Sequence, residues 1–560
     1  MSDYAINYVE TRNNNMTVEV NGFLLHSKYD PIKEAQRIAE KEYDPQGLCI
    51  LFGYGLGYLA QEILNLSIYN DNLLIIDPLY EKIDHQLTID LTVMSEKNDR
   101  EWARLIHSKL LNYSKKIKVI CAPNYEKICA EEYSNILKQV KNIQSTNQVL
   151  ENTTRNFSEM WEKNYVYNLL ELKNTRNFDS LTDSYSCPII IASGGPSLIK
   201  QLPLVKEIRS KILLVAAGST INTLLKYDII PDYIVSIDGG EINYEHFKNI
   251  SDLPTTLISS FSNHYKIQQQ WKNDKYVFLD GGDAEFQSYV ERTFGVTVPL
   301  LYGGASVANY AFSCAIKMTT GPIALIGQDL AYTDFKTHAE ANENYKIVDE
   351  QYMKARGMYY TDGYYEDQVL TDDAFLLMKN DFERLYQEQS QGRTIFNCTE
   401  GGIKIDGIPQ ISFHSFCYDV IQEQQEVLCA TKVQKYHLNK ALYEQKLKDE
   451  ILFMEQSIKQ IKIARIALTK NSAAPQFDKK VLKELDKADQ LVVKVKEKTI
   501  INRILDPLIL DIMTKFIAKP NEKPEEKYVR IFTQNEYMYR MLEENITTSK
   551  TYLEYIMGEL

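Results

Sequence analysis

Short apolar runs separated by longer mixed segments dominate the first three quarters of the chain, and their lengths set the expected elements. A β-like start at 16–25 precedes an apolar run at 47–52 that reads as a buried strand, helical spacing at 59–66 and a second strand at 73–76. A mainly helical stretch at 148–172 leads to the middle region, where the alternation is clearer. Runs at 188–192, 212–217, 233–237, 256–259, 276–279 and 323–326 are short and largely apolar, as strands buried on both faces of a parallel sheet are. Later the period changes: Leu447, Ile451, Met454, Ile458 and Ile461 follow three-to-four spacing and form a helical seam. Arg465 interrupts that seam, and Pro507 should kink or divide the second helix, which begins near Lys479. The expected fold class is therefore α/β, in three parts. A smaller N-terminal Rossmann-like domain spans 1–175, a central doubly wound Rossmann-like domain 176–425, and a C-terminal helical bundle 426–560.

Length supports that division, since 560 residues exceed what one core organises and suggest about two to four domains. Hydrophobic residues at 44% and charged residues at 25% are ordinary globular values, which excludes a disordered or low-complexity chain. The formal charge of −13, without a dense Lys/Arg run to override it, argues against nucleic acid or an anionic membrane surface as partner. Eight cysteines without a Cys-x-x-Cys pair fit a reducing compartment better than a disulfide or zinc scaffold. Residues 1–10 carry no signal-like segment and no apolar stretch approaches the length of a spanning helix, so a soluble, cytoplasmic protein is expected.

The strongest local signal is Ser193-Gly194-Gly195-Pro196-Ser197 after the 188–192 run. Glycines let the backbone approach a ligand closely, and Pro196 stands near the first helical position. The turn predicts a ring of free amides at a positive helix terminus, suited to phosphate. It is neither a Walker loop nor a Gly-x-Gly-x-x-Gly fingerprint. Neighbouring strand ends should carry Gly218-Ser219-Thr220 and Asp238, the latter able to accept from a ribose or sugar hydroxyl or to cap a helix. Gly303-Gly304-Ala305-Ser306 opens a helix that Ser306 is placed to cap. Gln328, Asp329 and Tyr332 follow the 323–326 strand, with His338 beyond them. Asn397 to Gly402 contains the carboxylate of Glu400. Near the N-terminus, Gly53, Gly55 and Gly57 follow a strand and Asp77 ends the next, a pattern similar to S-adenosylmethionine sites.

Taken in order and spacing, the central motifs resemble the motility accessory factor (Maf) family of bacterial flagellin glycosyltransferases, whose central domain is 6-hydroxymethylpterin diphosphokinase-like. The likeness spans about 185–410. A more distant resemblance is to CMP-dependent bacterial sialyltransferases, whose catalytic histidine aligns near Asp367. The resemblance implies transfer of a nonulosonic acid, pseudaminic or legionaminic, from its CMP-activated form to Ser or Thr of flagellin. CMP contacts then fall to Ser193, Gly194, Gly195, Pro196, Ser197, Gly218, Ser219 and Thr220. Asp238, Gly304 and Ser306 would meet ribose or base, and Gln328, Asp329 and Tyr332 the sugar and leaving phosphate. His338 is the first choice of general base, because neutral imidazole is available near pH 7, with Asp367 and Glu400 in reserve.

No two aspartates are separated by one residue, so the divalent-ion motif of many nucleotide-sugar transferases is missing, and a CMP donor predicts metal-independent transfer with no tightly bound cofactor. Flagellin is the expected protein partner, and a second copy of the chain is a further candidate. The alternatives are an S-adenosylmethionine-dependent methyltransferase, a pterin diphosphokinase, or a non-catalytic flagellin-binding chaperone.

Overall fold

The architecture comes from a computed structural model that describes residues 4–45, 47–67, 72–85, 93–95, 106, 116–340, 342–365, 368–421, 435–472, 476–501, 503–518 and 522–560. The chain divides into two compact units. The first comprises Met1–Phe157, Lys470–Phe477 and Asp506–Met538, and the second Ser158–Thr469, Asp478–Leu505 and Tyr539–Leu560. The expected boundary at 425/426 lies outside the described residues.

In the first unit, β1 (Ile6–Glu10), β2 (Met16–Val20) and β3 (Phe23–Leu24) form an antiparallel meander. The turn between β2 and β3 is Asn21-Gly22, both at positive φ, the pairing that two-residue hairpins favour. The helix Pro31–Glu42 starts on a proline, with Asp30 accepting from the Lys33 amide at 3.0 Å. A parallel sheet follows, built from β4 (Leu48–Phe52), β5 (Leu73–Ile76), β6 (Val93–Met94) and β7 (Ile117–Cys121) in the order β6-β5-β4-β7. All five residues of β4 are buried, which is why the strand reads as an unbroken apolar run.

The second unit is organised by a nine-stranded sheet. Its strands are β8 (Arg176–Asn177), β9 (Ile189–Ala192), β10 (Leu213–Ala217), β11 (Tyr233–Ser236), β12 (Thr256–Ser260), β13 (Lys275–Asp280), β14 (Leu300–Leu301), β15 (Ile323–Ile326) and a late strand, Ile395–Asn397. A separate antiparallel hairpin pairs β16 (Tyr359–Asp362) with β17 (Gln368–Thr371), which makes the late strand β18. The order is β14-β13-β12-β11-β10-β9-β15-β18, with β8 beside β13, and every pairing is parallel. Alternate residues serve two cores. Ile189, Ile191, Leu213, Val215, Ile323 and Leu325 pack on one side, and Ile190, Ala192, Leu214, Ala216, Ala324 and Ile326 on the other. The helix Val307–Met318 covers β9, β10 and β11 from the first side, and the helix Leu198–Ile208 packs on the second. Strand order reverses between β9 and β15, so their carboxyl ends open the crevice where open α/β sheets hold ligands.

The C-terminal helices are Lys440–Lys470, Lys479–Lys498, Asp506–Lys515 and Pro524–Glu559. Leu447, Ile451, Met454 and Ile461 are buried along the expected seam, and Arg465 pairs with Glu543. The second helix does begin at Lys479, but Pro507 does not divide it. The helix closes at Lys498, where the Thr499 amide donates to the Val495 carbonyl, and Pro507 lies in the first turn of the next helix, where its missing N–H costs little. Among the described residues, no helix is long and apolar enough to cross a membrane.

Candidate functional site at the strand-order reversal

The turn leaving β9 packs against the segment leaving β15. Gly195 donates to the Gly327 carbonyl at 2.9 Å, and Leu198 N donates to the Gly195 carbonyl. Asp329, which is buried, accepts from Ser197 Oγ at 2.6 Å, from the Ser197 amide at 3.2 Å and from Thr333 Oγ1 at 2.8 Å. The ring of free amides expected here therefore does not form. A carboxylate of the chain itself occupies the helix terminus, satisfying the dipole that an outside anion would otherwise seek. Burial pushes the Asp329 carboxyl above its ordinary range, opposed by its hydrogen bonds to Ser197 and Thr333 and by the charge of Lys200. A Cβ on Gly195 would collide with the Asp329 carboxylate and with the Gly327 carbonyl, which explains glycine there.

The Gly194 side of the same turn is different. The Cβ that Gly194 lacks would stand 3.2 Å from Asn342 Nδ2, 3.3 Å from Thr220 Oγ1 and 3.6 Å from the His338 ring carbon Cδ2. Those groups belong to the helix start after β10 and to the segment following β15, which Ala339 clips to the turn by donating to the Gly194 carbonyl at 2.9 Å. Antiparallel bridging of Lys336 with Ile347, and the Thr337 hydroxyl donating to the Asn344 carbonyl, hold that segment as a compact loop. His338 Nδ1 and Asn342 Nδ2 are both buried without a hydrogen-bond partner. Burial lowers the His338 pKa, a contact with the Asn344 carbonyl opposes that, and His246 reinforces it.

The other candidates each have defined partners. Ser193 Oγ donates to Gln328 Oε1 at 2.5 Å, and the Gln328 amide donates to Thr399 Oγ1 at 3.2 Å. A Cβ on Gly218 would meet Val307 Cγ1 at 3.0 Å, so Ser219 and Thr220 lie close to the start of the helix Val307–Met318. Ser306 closes a reciprocal capping box with Asn309, and its hydroxyl donates to Asn309 Oδ1 at 2.6 Å. Gly304 faces Asp381, whose carboxylate accepts from the Ala305 amide at 2.7 Å. The Tyr332 hydroxyl donates to Asp372 at 2.8 Å, and Glu400 accepts from the Phe413 amide at 2.9 Å, so both are held by neighbouring segments.

Asp238 follows β11 and is exposed; no hydrogen bond to its carboxylate is found among the described residues. Partial loss of hydration raises its pKa, with His246 opposing, and His246 in turn pairs with Glu343 at 2.7 Å. Pro196 is half-buried beside the turn. Asp367 lies outside the described residues. Leu330, Asp334, Phe335 and Glu400 all take left-handed φ, a cost that concentrates after β15 and β18. Sequence reading missed Asn342 and Gln201. The latter accepts from the Gly327 amide at 3.0 Å, and neither residue belongs to a periodic or glycine-rich signal.

The N-terminal glycine turn is filled by the protein. Gly53 N donates to the Ile76 carbonyl, Tyr54 N and Gly55 N to Asp77 Oδ2 at 2.8 and 3.2 Å, Leu56 N to His26 Nε2 at 2.9 Å, and Gly57 N to the Tyr54 carbonyl. Tyr125 donates its hydroxyl to the same Asp77 oxygen at 2.7 Å. Five consecutive amides are thus committed, and the Asp77 carboxylate is turned inward onto the turn it follows.

Comparison with known proteins bears on the central domain and on the fold. Residues 163–335 match the family model described as 6-hydroxymethylpterin diphosphokinase MptE-like. Among solved structures, a Maf glycosyltransferase from Magnetospirillum magneticum AMB-1 is similar over 100% of this chain and 91% of its own, with a TM-score of 0.53 and 14% identity. At that identity the likeness is one of fold. No curated protein gives a significant sequence match.

Proposed function

We propose that this chain, with an MptE-like central domain in a fold similar to a Maf glycosyltransferase, transfers a nonulosonic acid, pseudaminic or legionaminic, from its CMP ester to Ser or Thr of flagellin. The observation that carries the reading is the convergence of Thr220, His338 and Asn342 on Gly194 at the carboxyl edge where strand order reverses. In the proposed reaction the acceptor oxygen bonds to the anomeric carbon of the sugar. The bond from that carbon to the phosphate oxygen breaks, its electron pair leaving with CMP, and the hydroxyl proton passes to His338. Burial suits His338 to this, since a lowered pKa keeps the imidazole neutral at pH 7. The leaving monophosphate needs only hydrogen-bond donors, and transfer is proposed to be independent of a divalent ion.

Intact-mass analysis of flagellin from cells with and without the protein tests the reading. One or more nonulosonate increments that depend on the chain, persist with His338→Ala at no more than about a hundredth of the rate, and survive chelation in a purified assay are the expected result. Identical flagellin masses overturn it. The matched family description favours a second reading, a pterin diphosphokinase, which calorimetry with ATP, magnesium and 6-hydroxymethylpterin would reveal. Committed amides in the N-terminal turn speak against the methyltransferase alternative.

A further inference from the structure

We propose that the outward side of the helix Lys440–Lys470, with the flank of the helix Lys479–Lys498 beside it, docks an acidic amphipathic helix of another protein. The inference stands apart from the transferase reading and concerns a surface which that reading does not use.

Helical spacing lays out the face. Leu452, Lys459, Ile463 and Ile466 follow steps of seven, four and three residues, so they share one side of their helix, opposite the buried seam of Met454, Ser457, Ile461 and Ala464. The three aliphatic side chains are 54%, 41% and 56% exposed, in a line about 21 Å long at the helical rise per residue. The second helix runs antiparallel beside it: Gln460 donates to Glu484 at 3.0 Å, and Lys498 Nζ stands 5.6 Å from the Phe453 ring centroid. Its Lys480, Lys487 and Lys494 recur every seventh residue, about 10.5 Å apart, on the side that Glu484 turns toward the first helix. Lys459, Lys480 and Lys494 are exposed, and no ion pair to them is found among the described residues; Lys487 pairs with Glu484 at 2.7 Å. Other carboxylates of the same stretch are turned away. Glu455 pairs with Lys550 at 3.1 Å and Asp489 accepts from Tyr539 at 2.5 Å, both toward the helix Pro524–Glu559, and Asp486 shares the side of Asp489. The two helices together hold 14 Lys and Arg against 8 Asp and Glu, in a chain whose net charge is −13. An apolar line flanked by lysines calls for a partner of the reverse charge, and the seven-residue repeat matches two turns of a helix with carboxylates beside its apolar stripe. A two-fold contact of this face with itself would set lysine against lysine, and the line includes no aromatic side chain to enter a lipid interface.

The test titrates the full-length chain into a fluorescein-labelled synthetic peptide of about three heptads, with leucine at a and d and glutamate at e and g, and reads anisotropy. Saturable binding is expected, weakened about tenfold or more by Ile463→Ser/Ile466→Ser, by Lys480→Glu/Lys494→Glu, and in the wild-type chain by raising sodium chloride from about 50 to about 500 mM. Leu482→Ser/Val493→Ser is the control. Those residues are 42% and 63% exposed on the side of Asp489, away from the proposed face, and this variant should bind as wild type does. No binding by the wild-type chain, an equal loss in the control, or equal binding of a peptide with the same composition but scattered leucines overturns the inference. So does flotation of the chain with phosphatidylglycerol vesicles in place of peptide binding, which would assign the face to a lipid surface. A dimer in sedimentation that Ile463→Ser/Ile466→Ser dissolves would assign it to a second copy and overturn the inference equally.

Discussion

Gly195 and Asp329 show how closely the crevice is built. A methyl group at residue 195 meets the buried carboxylate on one side and the Gly327 carbonyl on the other, and neither is the flexible end of a long side chain. Gly195→Ala should therefore cost about 2–3 kcal/mol of stability, the range for forcing extra volume into packed structure. Gly240 is the control. Nothing stands within 4 Å of its missing Cβ and its φ is −79°, so Gly240→Ala should stay within about 0.5 kcal/mol of wild type. Urea midpoints of the two variants decide the point, and equal midpoints would remove the steric account of the turn. The same contact means that Asp329 and the glycine turn form one unit, so a change at either disturbs the start of the helix that Ser197 opens.

At the scale of elements, the helix Val307–Met318 is nearly all buried and starts at a complete capping box. Ser306→Ala removes the acceptor for the Asn309 amide and should lower stability by about 1 kcal/mol, read from the shift in urea midpoint; Ser306→Asn, another good capping residue, should restore most of it. That helix start was legible in the sequence because serine before an apolar run is a local signal. So were the strands from β9 to β13 and β15, whose apolar runs match their observed spans within two residues at each end. Elements whose stability comes from distant partners were not legible. β18, a three-residue strand, gains its identity from pairing with β15, and the helix Ala130–Glu171 extends well ahead of its recognisable part. The candidate site divides the same way. Glycines and hydroxyls at strand ends announce themselves, but the pairing of Asp329 with the Ser197 amide joins residues 132 positions apart, and only the sheet order brings them together. Asn342 sits in a polar loop without period, so nothing in its own neighbourhood marks it.

At the scale of the whole molecule, the two units carry buried titratable groups of opposite kind. In the first unit, burial pushes His26 down to about 4, and its Nε2 accepts from the Leu56 amide. A histidine with a lowered pKa contributes stability above its ordinary value of 6.5, and that contribution is lost as pH falls toward 4. In the second unit, Glu450 accepts from the Tyr289 hydroxyl at 2.7 Å and from the Ile500 amide, and burial raises it to about 7, with Glu162 adding to the rise. Its contribution is complete below 4.5 and is lost as pH rises through about 7. Each shift corresponds to a contribution on the order of 3 kcal/mol. Asp77, buried near His26 and raised by that burial, works against the histidine, so differences between variant and wild type are the measure rather than raw slopes. Thermal unfolding from pH 5 to 8 should show the gap between wild type and His26→Gln narrowing on acidification. The gap between wild type and Glu450→Gln should move the other way, turning against wild type as pH rises. Variant curves that run parallel to wild type across that range would mean that neither group titrates differently in the folded chain.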